Sequence, residues 1–160
     1  MVFEYKVGIV GGCGRVGLPL GLSFAKKGLR VLAIDINMEA VDNVMSKKMP
    51  FFEPNAEKIL HDVVSNRSFY CTTDQSKIEL AEYIIIVPGT PLDFDFIPDM
   101  TQVDKVLKSI MPYIQKGHVL VFRSTLAAKS TDYIRNYIEA NTKFSIGKDL
   151  FLAFAPERIV

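Results

Sequence analysis

The most constraining feature of the sequence is a cluster of glycines directly after its first apolar run. Residues 12–17 read Gly-Cys-Gly-Arg-Val-Gly, a G-x-G-x-x-G pattern. A segment of helical spacing follows, and then a second apolar run that ends at Asp35. In such a context one glycine makes a tight turn, one lets the backbone approach a pyrophosphate, and one permits close packing of helix on strand. The pattern predicts a dinucleotide-binding turn, with a purely structural turn as the alternative.

Asp35 adds a second element to this prediction. An acidic residue about 20 positions beyond the glycines accepts hydrogen bonds from an adenosine ribose. A carboxylate there also repels a 2′-phosphate, which favours NAD over NADP as the cofactor. The P-loop alternative fails because no Gly-Lys-Ser/Thr closes the glycine run.

Short runs rich in Val and Ile alternate along the chain with longer segments of helical spacing, a pattern typical of a parallel sheet covered by helices. Strands are predicted at 6–10, 30–34, 68–72, 83–87, 118–123 and 150–154. Helices are predicted at 16–26, 38–46 and 55–64, and along apolar stripes at 100–114 and 133–138. The predicted fold class is α/β, a doubly wound, mostly parallel Rossmann sheet in three layers, with residues 1–160 in one domain.

Composition excludes several classes of function. Nineteen basic and eighteen acidic residues give a net charge of +1, which provides no field to hold a nucleic acid or an anionic membrane. No apolar run approaches the roughly 18 residues of a membrane span. The two histidines, His61 and His118, show no metal-ligand spacing, and two cysteines do not form a disulfide framework. We therefore expect a cytoplasmic protein without a metal site, and the apolar end at Ile159 and Val160 indicates a fragment of a longer enzyme.

Turn-forming and polar residues collect where the predicted strands end. They are the glycine loop, Asp35 and residues 72–73, 88–91, 124–125 and 156–158. Ligands of open α/β sheets bind beyond the carboxyl ends of the strands, so these residues predict one binding crevice. Such residue types also populate turns in general, which is the plainer interpretation.

Five motifs in order resemble the NAD-binding N-terminal domain of the UDP-glucose/GDP-mannose dehydrogenase family. They are Val16-Gly17-Leu18-Pro19-Leu20, Glu53-Pro54, Pro88-Gly89-Thr90-Pro91, Arg123-Ser124-Thr125 and Ala155-Pro156-Glu157-Arg158. The resemblance implies an NAD-dependent oxidoreductase of polysaccharide biosynthesis that oxidises the C6 alcohol of a UDP-sugar to the carboxylate with two NAD. The segment 96–100 and the arginine before Ser124 resemble the branch that acts on UDP-N-acetylhexosamines such as UDP-N-acetylmannosamine, with UDP-glucose as the other candidate.

The resemblance also assigns roles to individual residues. It implies that Gly12, Gly14, Arg15, Val16 and Gly17 hold the pyrophosphate, that Asp35 holds the ribose, and that Thr90, Pro91, Ser124 and Thr125 lie toward the nicotinamide. Thr125 resembles the family threonine that places the hydrolytic water, and Glu157 its carboxylate for the proton and water steps. The plainer interpretations are a helix cap for Thr125 and a salt bridge with Arg158 for Glu157. This chain also lacks the Pro-Gly that many members carry after Ser-Thr.

In the family the catalytic cysteine comes from a later domain, and neither Cys13 nor Cys71 matches its motif. We therefore interpret both as packing residues and expect this chain alone to be inactive. The family further implies a homodimer in the full-length enzyme. Two other functions stay open from the residues alone: the cofactor domain of a β-hydroxyacid-type dehydrogenase, and a non-catalytic nucleotide-sensing module.

Overall fold

A computed structural model describes residues 2–89, 100–126 and 128–157 of the chain. Within these residues the strands are β1 (Tyr5–Val10), β2 (Val31–Ile34), β3 (Phe69–Thr72), β4 (Ala81–Ile86), β5 (Val119–Phe122) and β6 (Phe151–Phe154). The helices are α1 (Gly17–Lys26), α2 (Met38–Met45), α3 (Ala56–Ser65), α4 (Thr101–Ile110) and α5 (Ser130–Asn141). Two short 3₁₀ turns cover Gln75–Leu80 and Met111–Tyr113.

All pairings between these strands are parallel, in the order β3-β2-β1-β4-β5-β6. The chain therefore builds outward from β1 through β2 to β3 and then returns to place β4 on the other side of β1. Connections that leave β1 and β4 diverge, which opens a crevice at their carboxyl ends. This order confirms the predicted doubly wound α/β fold.

Each face of the sheet carries its own apolar core, because successive side chains of a strand point to opposite faces. On β1, Ile9 packs in the core beneath α1, α2 and α3, whereas its neighbour Val10 packs in the core beneath α4 and α5. On β2, Ala33 and Ile34 divide in the same way. The three predicted layers are therefore present, and each fully buried aliphatic side chain contributes about 2 kcal/mol to folding.

The predicted strands are confirmed to within two residues at each end. The apolar stripe at 100–114 was predicted as one helix, and this is wrong at its end. Helix α4 stops at Ile110 and the chain continues as a 3₁₀ turn, because Pro112 has no amide hydrogen to donate. The 3₁₀ turn at Gln75–Leu80 was not predicted. It begins at Asp74, whose carboxylate accepts a hydrogen bond from the Ser76 amide at 3.0 Å.

In the part of the chain that the structure describes, no helix combines the length and the apolar character needed to cross a bilayer.

His118 is a fully buried polar side chain at the start of β5. Its Nδ1 accepts the amide hydrogen of Gln115 at 3.1 Å, and its ring lies 5.1 Å from the ring of Phe3. Burial disfavours the charged imidazolium and lowers the pKa of His118 below its ordinary value of 6.5. The unfolded chain therefore binds a proton more readily than the folded chain does.

We expect this difference to make folding pH-dependent. The contribution of neutral His118 to the free energy of unfolding is fully present above about pH 6.5. It is lost as the pH falls through the lower pKa of the folded state, and the free energy then changes by up to about 1.4 kcal/mol per pH unit. In His118→Asn, which keeps an acceptor for the Gln115 amide, the loss of unfolding free energy between pH 7 and pH 5 should be smaller, as measured by urea denaturation. His61→Asn, at an exposed position on α3, is the control. If the unfolding free energy of His118→Asn fell with pH as steeply as that of the wild type, this pH dependence would not come from His118.

Candidate functional site

The glycine loop turns sharply at the carboxyl end of β1. The amides of Gly11 and Gly12 both donate to the carbonyl of Ile34 on β2, at 2.9 and 3.0 Å. Gly11 has a φ of +83°, in the left-handed region that a side chain rarely adopts. The turn thus leaves the strand and enters α1 within a few residues, at the edge of the sheet where ligands bind.

The three glycines of the fingerprint differ in what requires them. A Cβ on Gly12 would lie 2.6 Å from the Cβ of Ala33, and a Cβ on Gly17 would lie 2.3 Å from the carbonyl oxygen of Gly11. A Cβ on Gly14 would meet only that same oxygen, at an ordinary contact distance of 3.4 Å. Packing therefore explains Gly12 and Gly17. It does not explain Gly14, which is exposed and leaves space for a ligand against the backbone.

Helix α1 begins without the usual cap. Its N-cap residue is Val16, which makes no side-chain hydrogen bond, and its first turn contains no acidic residue. Of the five helices, only α2 has a side-chain cap in the described residues, where Asn37 accepts the Ala40 amide at 3.1 Å. In α1 the Leu18 amide donates to the Gly14 carbonyl at 3.0 Å, and Pro19 has no amide hydrogen. An anion at this end of α1 would therefore meet the positive end of the helix dipole and the amides of the loop before Leu18.

Asp35 lies directly after β2 and next to the glycine loop. Its Oδ2 accepts the Cys13 amide at 2.9 Å, and its Oδ1 accepts the Asn37 amide at 3.1 Å. Two backbone donors thus hold the carboxylate in one orientation. A carboxylate offers about four lone-pair positions, so both oxygens of Asp35 keep capacity for the hydroxyls of a ligand.

Two cavities flank the glycine loop and share Gly11, Pro88 and Gly89. The larger, of about 570 Å³, lies on the Asp35 side and is lined by Ile36 and by the polar face of α4, at Gln102, Lys105 and Ser109. The smaller, of about 380 Å³, lies between the loop and the exits of β4 and β5. Both volumes fall within the range of small-molecule sites. An elongated ligand that passes over Gly11, between the glycine loop and Pro88, would reach both cavities.

The smaller cavity brings together most of the predicted site residues. Gly14, Arg15, Val16, Gly17, Ser124, Thr125 and Glu157 line it, and Gly12 is buried beneath the loop. The guanidinium carbon of Arg15 lies 5.4 Å from the centroid of the Phe51 ring. Thr90 and Pro91 lie outside the described residues.

Ser124 and Glu157 are held in place by hydrogen bonds between neighbouring strand exits. The hydroxyl of Ser124 donates to the carbonyl of Pro88 at 2.5 Å, and the Glu157 amide donates to the carbonyl of Arg123 at 3.0 Å. The guanidinium of Arg123 forms a salt bridge with the Glu157 carboxylate. The sequence suggested a salt bridge between Glu157 and Arg158 as the plainer interpretation. The structure instead shows a salt bridge with Arg123, and Arg158 lies outside the described residues.

Sequence reasoning missed two parts of this site. The partner of Glu157 follows from the pairing of β5 with β6, which no local pattern encodes. The second part is the face of α4 that lines the larger cavity. It lies beside the apolar stripe of this helix and shares Val106 with it, and no sequence pattern indicated that it faces a ligand. The plainer interpretation of Thr125 as a helix cap is wrong. Helix α5 begins at Ser130, and Lys129 occupies its N-cap position.

Cys13 and Cys71 are buried in the core beneath α1, α2 and α3, as predicted for packing residues. Their sulfur atoms lie 3.2 Å apart. The hydrogen bond with Cys13 and burial together raise the pKa of Cys71 far above that of an ordinary thiol, so Cys71 is held in its unreactive neutral form. Nowhere in residues 2–89, 100–126 and 128–157 do three or more potential metal ligands of the His, Cys, Asp or Glu type come together.

The surroundings of Gly17 and Gly14 predict opposite effects when each is replaced by alanine. Gly17→Ala forces a methyl group against the Gly11 carbonyl and should lower the unfolding free energy by about 2 kcal/mol or more. Gly14→Ala should leave that free energy within about 1 kcal/mol of wild type, because φ at Gly14 is not in the left-handed region. Its methyl group should nevertheless weaken dinucleotide binding about tenfold or more. Urea denaturation and calorimetry separate the two effects. A folded Gly14→Ala chain with wild-type affinity would show that no ligand approaches this backbone.

Comparison with known proteins agrees with this geometry. The family model described as "UDP-glucose/GDP-mannose dehydrogenase family, NAD binding domain" matches residues 5–160. UDP-N-acetyl-D-mannosamine dehydrogenase of Escherichia coli (strain K12) is 29% identical over 156 residues, which cover 93% of this chain and 36% of that protein. This chain therefore spans little more than a third of the length of such relatives.

Solved structures give the same result. The UDP-N-acetyl-mannosamine dehydrogenase from Staphylococcus aureus matches with a TM-score of 0.89 and 33% identity over 97% of this chain and 37% of that one. The UDP-D-ManNAc dehydrogenase from Pyrococcus horikoshii matches with a TM-score of 0.90 and 26% identity over 97% of this chain and 37% of that one. Fold, glycine loop and family match agree, and the chain belongs to the UDP-glucose/GDP-mannose dehydrogenase family as an NAD-binding domain.

Proposed function

We propose that this chain binds NAD for a nucleotide-sugar 6-dehydrogenase, an enzyme that oxidises the C6 alcohol of a UDP-sugar to the carboxylate. The observation that carries the proposal is the pairing of an uncapped helix and an exposed Gly14 with a carboxylate, Asp35, bonded to the same loop. Bound NAD supplies the hydride acceptor. The family match separates the chain from the β-hydroxyacid dehydrogenases that share the glycine fingerprint.

The two cavities fit the two halves of the cofactor. In our proposal the pyrophosphate lies against Gly14 and accepts hydrogen bonds from the backbone amides of the loop that leads into α1, near the positive end of the helix dipole. Asp35 accepts the hydroxyls of the adenosine ribose, so the adenosine occupies the larger cavity, between Ile36 and α4. The nicotinamide half then occupies the smaller cavity, toward β4 and β5.

The roles that we propose for Thr125 and Glu157 follow from their place in the smaller cavity. Thr125 lies at its exposed rim, and Glu157 lies on its wall with the side chain about one-third exposed. A hydroxyl and a carboxylate at the reacting end of the cofactor suit the placing of a water molecule and the transfer of its proton. Thr125 would orient the hydrolytic water, and Glu157 would take up its proton.

The substrate that we propose is a UDP-N-acetylhexosamine. The relatives from E. coli, S. aureus and P. horikoshii are all named for UDP-N-acetylmannosamine. The test uses the product of the complete gene: UDP-N-acetylmannosamine should yield two NADH per sugar, with slower turnover of UDP-glucose. A faster rate with UDP-glucose would overturn the choice of sugar and leave the cofactor assignment intact. A cytoplasmic location and a homodimer stay predictions.

We expect the purified chain to bind one NAD by calorimetry, and Asp35 to determine that binding. Asp35→Asn removes the charge but keeps one acceptor oxygen, so it should weaken NAD binding about tenfold and reduce the preference for NAD over NADP. The control is Asp62→Asn, an exposed carboxylate on α3. If Asp35→Asn bound NAD as tightly as wild type and rejected NADP equally well, the proposed ribose contact would be wrong.

A further inference from the structure

We propose that the Arg123–Glu157 ion pair balances the affinity of this domain for oxidised and reduced NAD. The inference rests on the proposed function, because it requires the nicotinamide half of the cofactor in the smaller cavity. The pair would act because its two charges cancel each other on that wall of the cavity. Each residue alone would favour one redox form of the cofactor over the other.

The sheet places both charges on the same wall. Arg123 follows β5, and its amide donates to the Ile86 carbonyl at the end of β4 at 3.0 Å. Glu157 follows β6. The Ala155 amide still donates in the register of the strands, to the Phe122 carbonyl at 2.9 Å, and the Glu157 amide then donates to the Arg123 carbonyl at 3.0 Å, one residue out of that register. This shift brings the two side chains together at neighbouring exits, where they form a salt bridge.

The ion pair is partly shielded from solvent, so its charges can act on a ligand in the smaller cavity. The side chains of Arg123 and Glu157 are 21% and 35% exposed, and the Nε of Arg123 is buried with no hydrogen-bond partner in the described part of the chain. A buried donor without a partner costs stability, so a purely structural ion pair has little reason to leave one. The other charged side chain lining this cavity, Arg15, is exposed and lies over Phe51.

The nicotinamide ring changes charge in the reaction, and this is the property that the pair would sense. The ring of NAD⁺ carries a positive charge, and the ring of NADH is neutral. An unpaired Glu157 carboxylate would attract the oxidised ring selectively, and an unpaired Arg123 guanidinium would repel it. The intact pair cancels both effects. Such a balance suits an enzyme that must bind NAD⁺ and release NADH twice for each sugar.

The test measures the ratio of the dissociation constants of NADH and NAD⁺ for the purified 160-residue chain, by calorimetry and NADH fluorescence. Arg123→Gln should raise this ratio about threefold, because NAD⁺ binding gains, and Glu157→Gln should lower it by about the same factor. The double variant should return to the wild-type ratio. Added salt should reduce both shifts, since these charges are partly exposed.

A merely structural pair would behave differently. Loss of the salt bridge would then weaken the binding of both redox forms alike, and a constant ratio in both single variants would overturn the inference. If Arg123→Gln does not fold, Arg123→Lys keeps the charge and should keep the wild-type ratio, while Glu157→Gln still tests the decrease in the ratio.

The matched control is the Lys6–Glu82 pair, 2.7 Å apart and outside both cavities, where neither Lys6→Gln nor Glu82→Gln should move the ratio. Failure to bind either redox form would overturn the proposed function as well.

Discussion

The close approach of α1 to the end of β1 is the contact on which the site depends. Gly17, the first residue of α1, packs against the carbonyl of Gly11 at a distance that leaves no space for a side chain. The helix can therefore start immediately beyond the central strand, with Val16 and Gly17 at its N-terminus lining the smaller cavity. A larger residue would displace the helix and separate the amides of the loop from Asp35.

The parallel sheet supplies the second condition, since it brings the carboxyl ends of all its strands to one edge. Asp35, Ser124 and Glu157 follow β2, β5 and β6, and each is oriented by hydrogen bonds between neighbouring exits. None of these contacts crosses the crevice. The site residues are thus oriented by hydrogen bonds that continue the sheet beyond the ends of its strands.

Much of this arrangement is predictable from sequence because its signals are local. Each of these signals lies within a short stretch of sequence: the runs rich in Val and Ile, the spacing of the glycines and the acid after β2. The fold class follows from them. The interruption at Pro112 was visible in the sequence, but the apolar stripe that continues to Ile114 concealed it. The partnership of Arg123 with Glu157 depends on residues 34 positions apart. The pairing of β5 with β6 brings the two strand exits together, and a one-residue shift beyond the strands brings the two side chains into contact.

A one-residue shift after β6 determines which residue reaches the crevice. Phe122 pairs with Phe154, a register that would place Ala155 beside Arg123, and the bond from the Glu157 amide to the Arg123 carbonyl departs from it by one residue. Successive residues of an extended segment face opposite directions. A deletion or insertion of one residue between Phe154 and Glu157 would therefore turn the Glu157 carboxylate away from Arg123. Residues can therefore be inserted or removed between Arg123 and Glu157 without loss of the ion pair only in the loops and in helix α5, which precede β6.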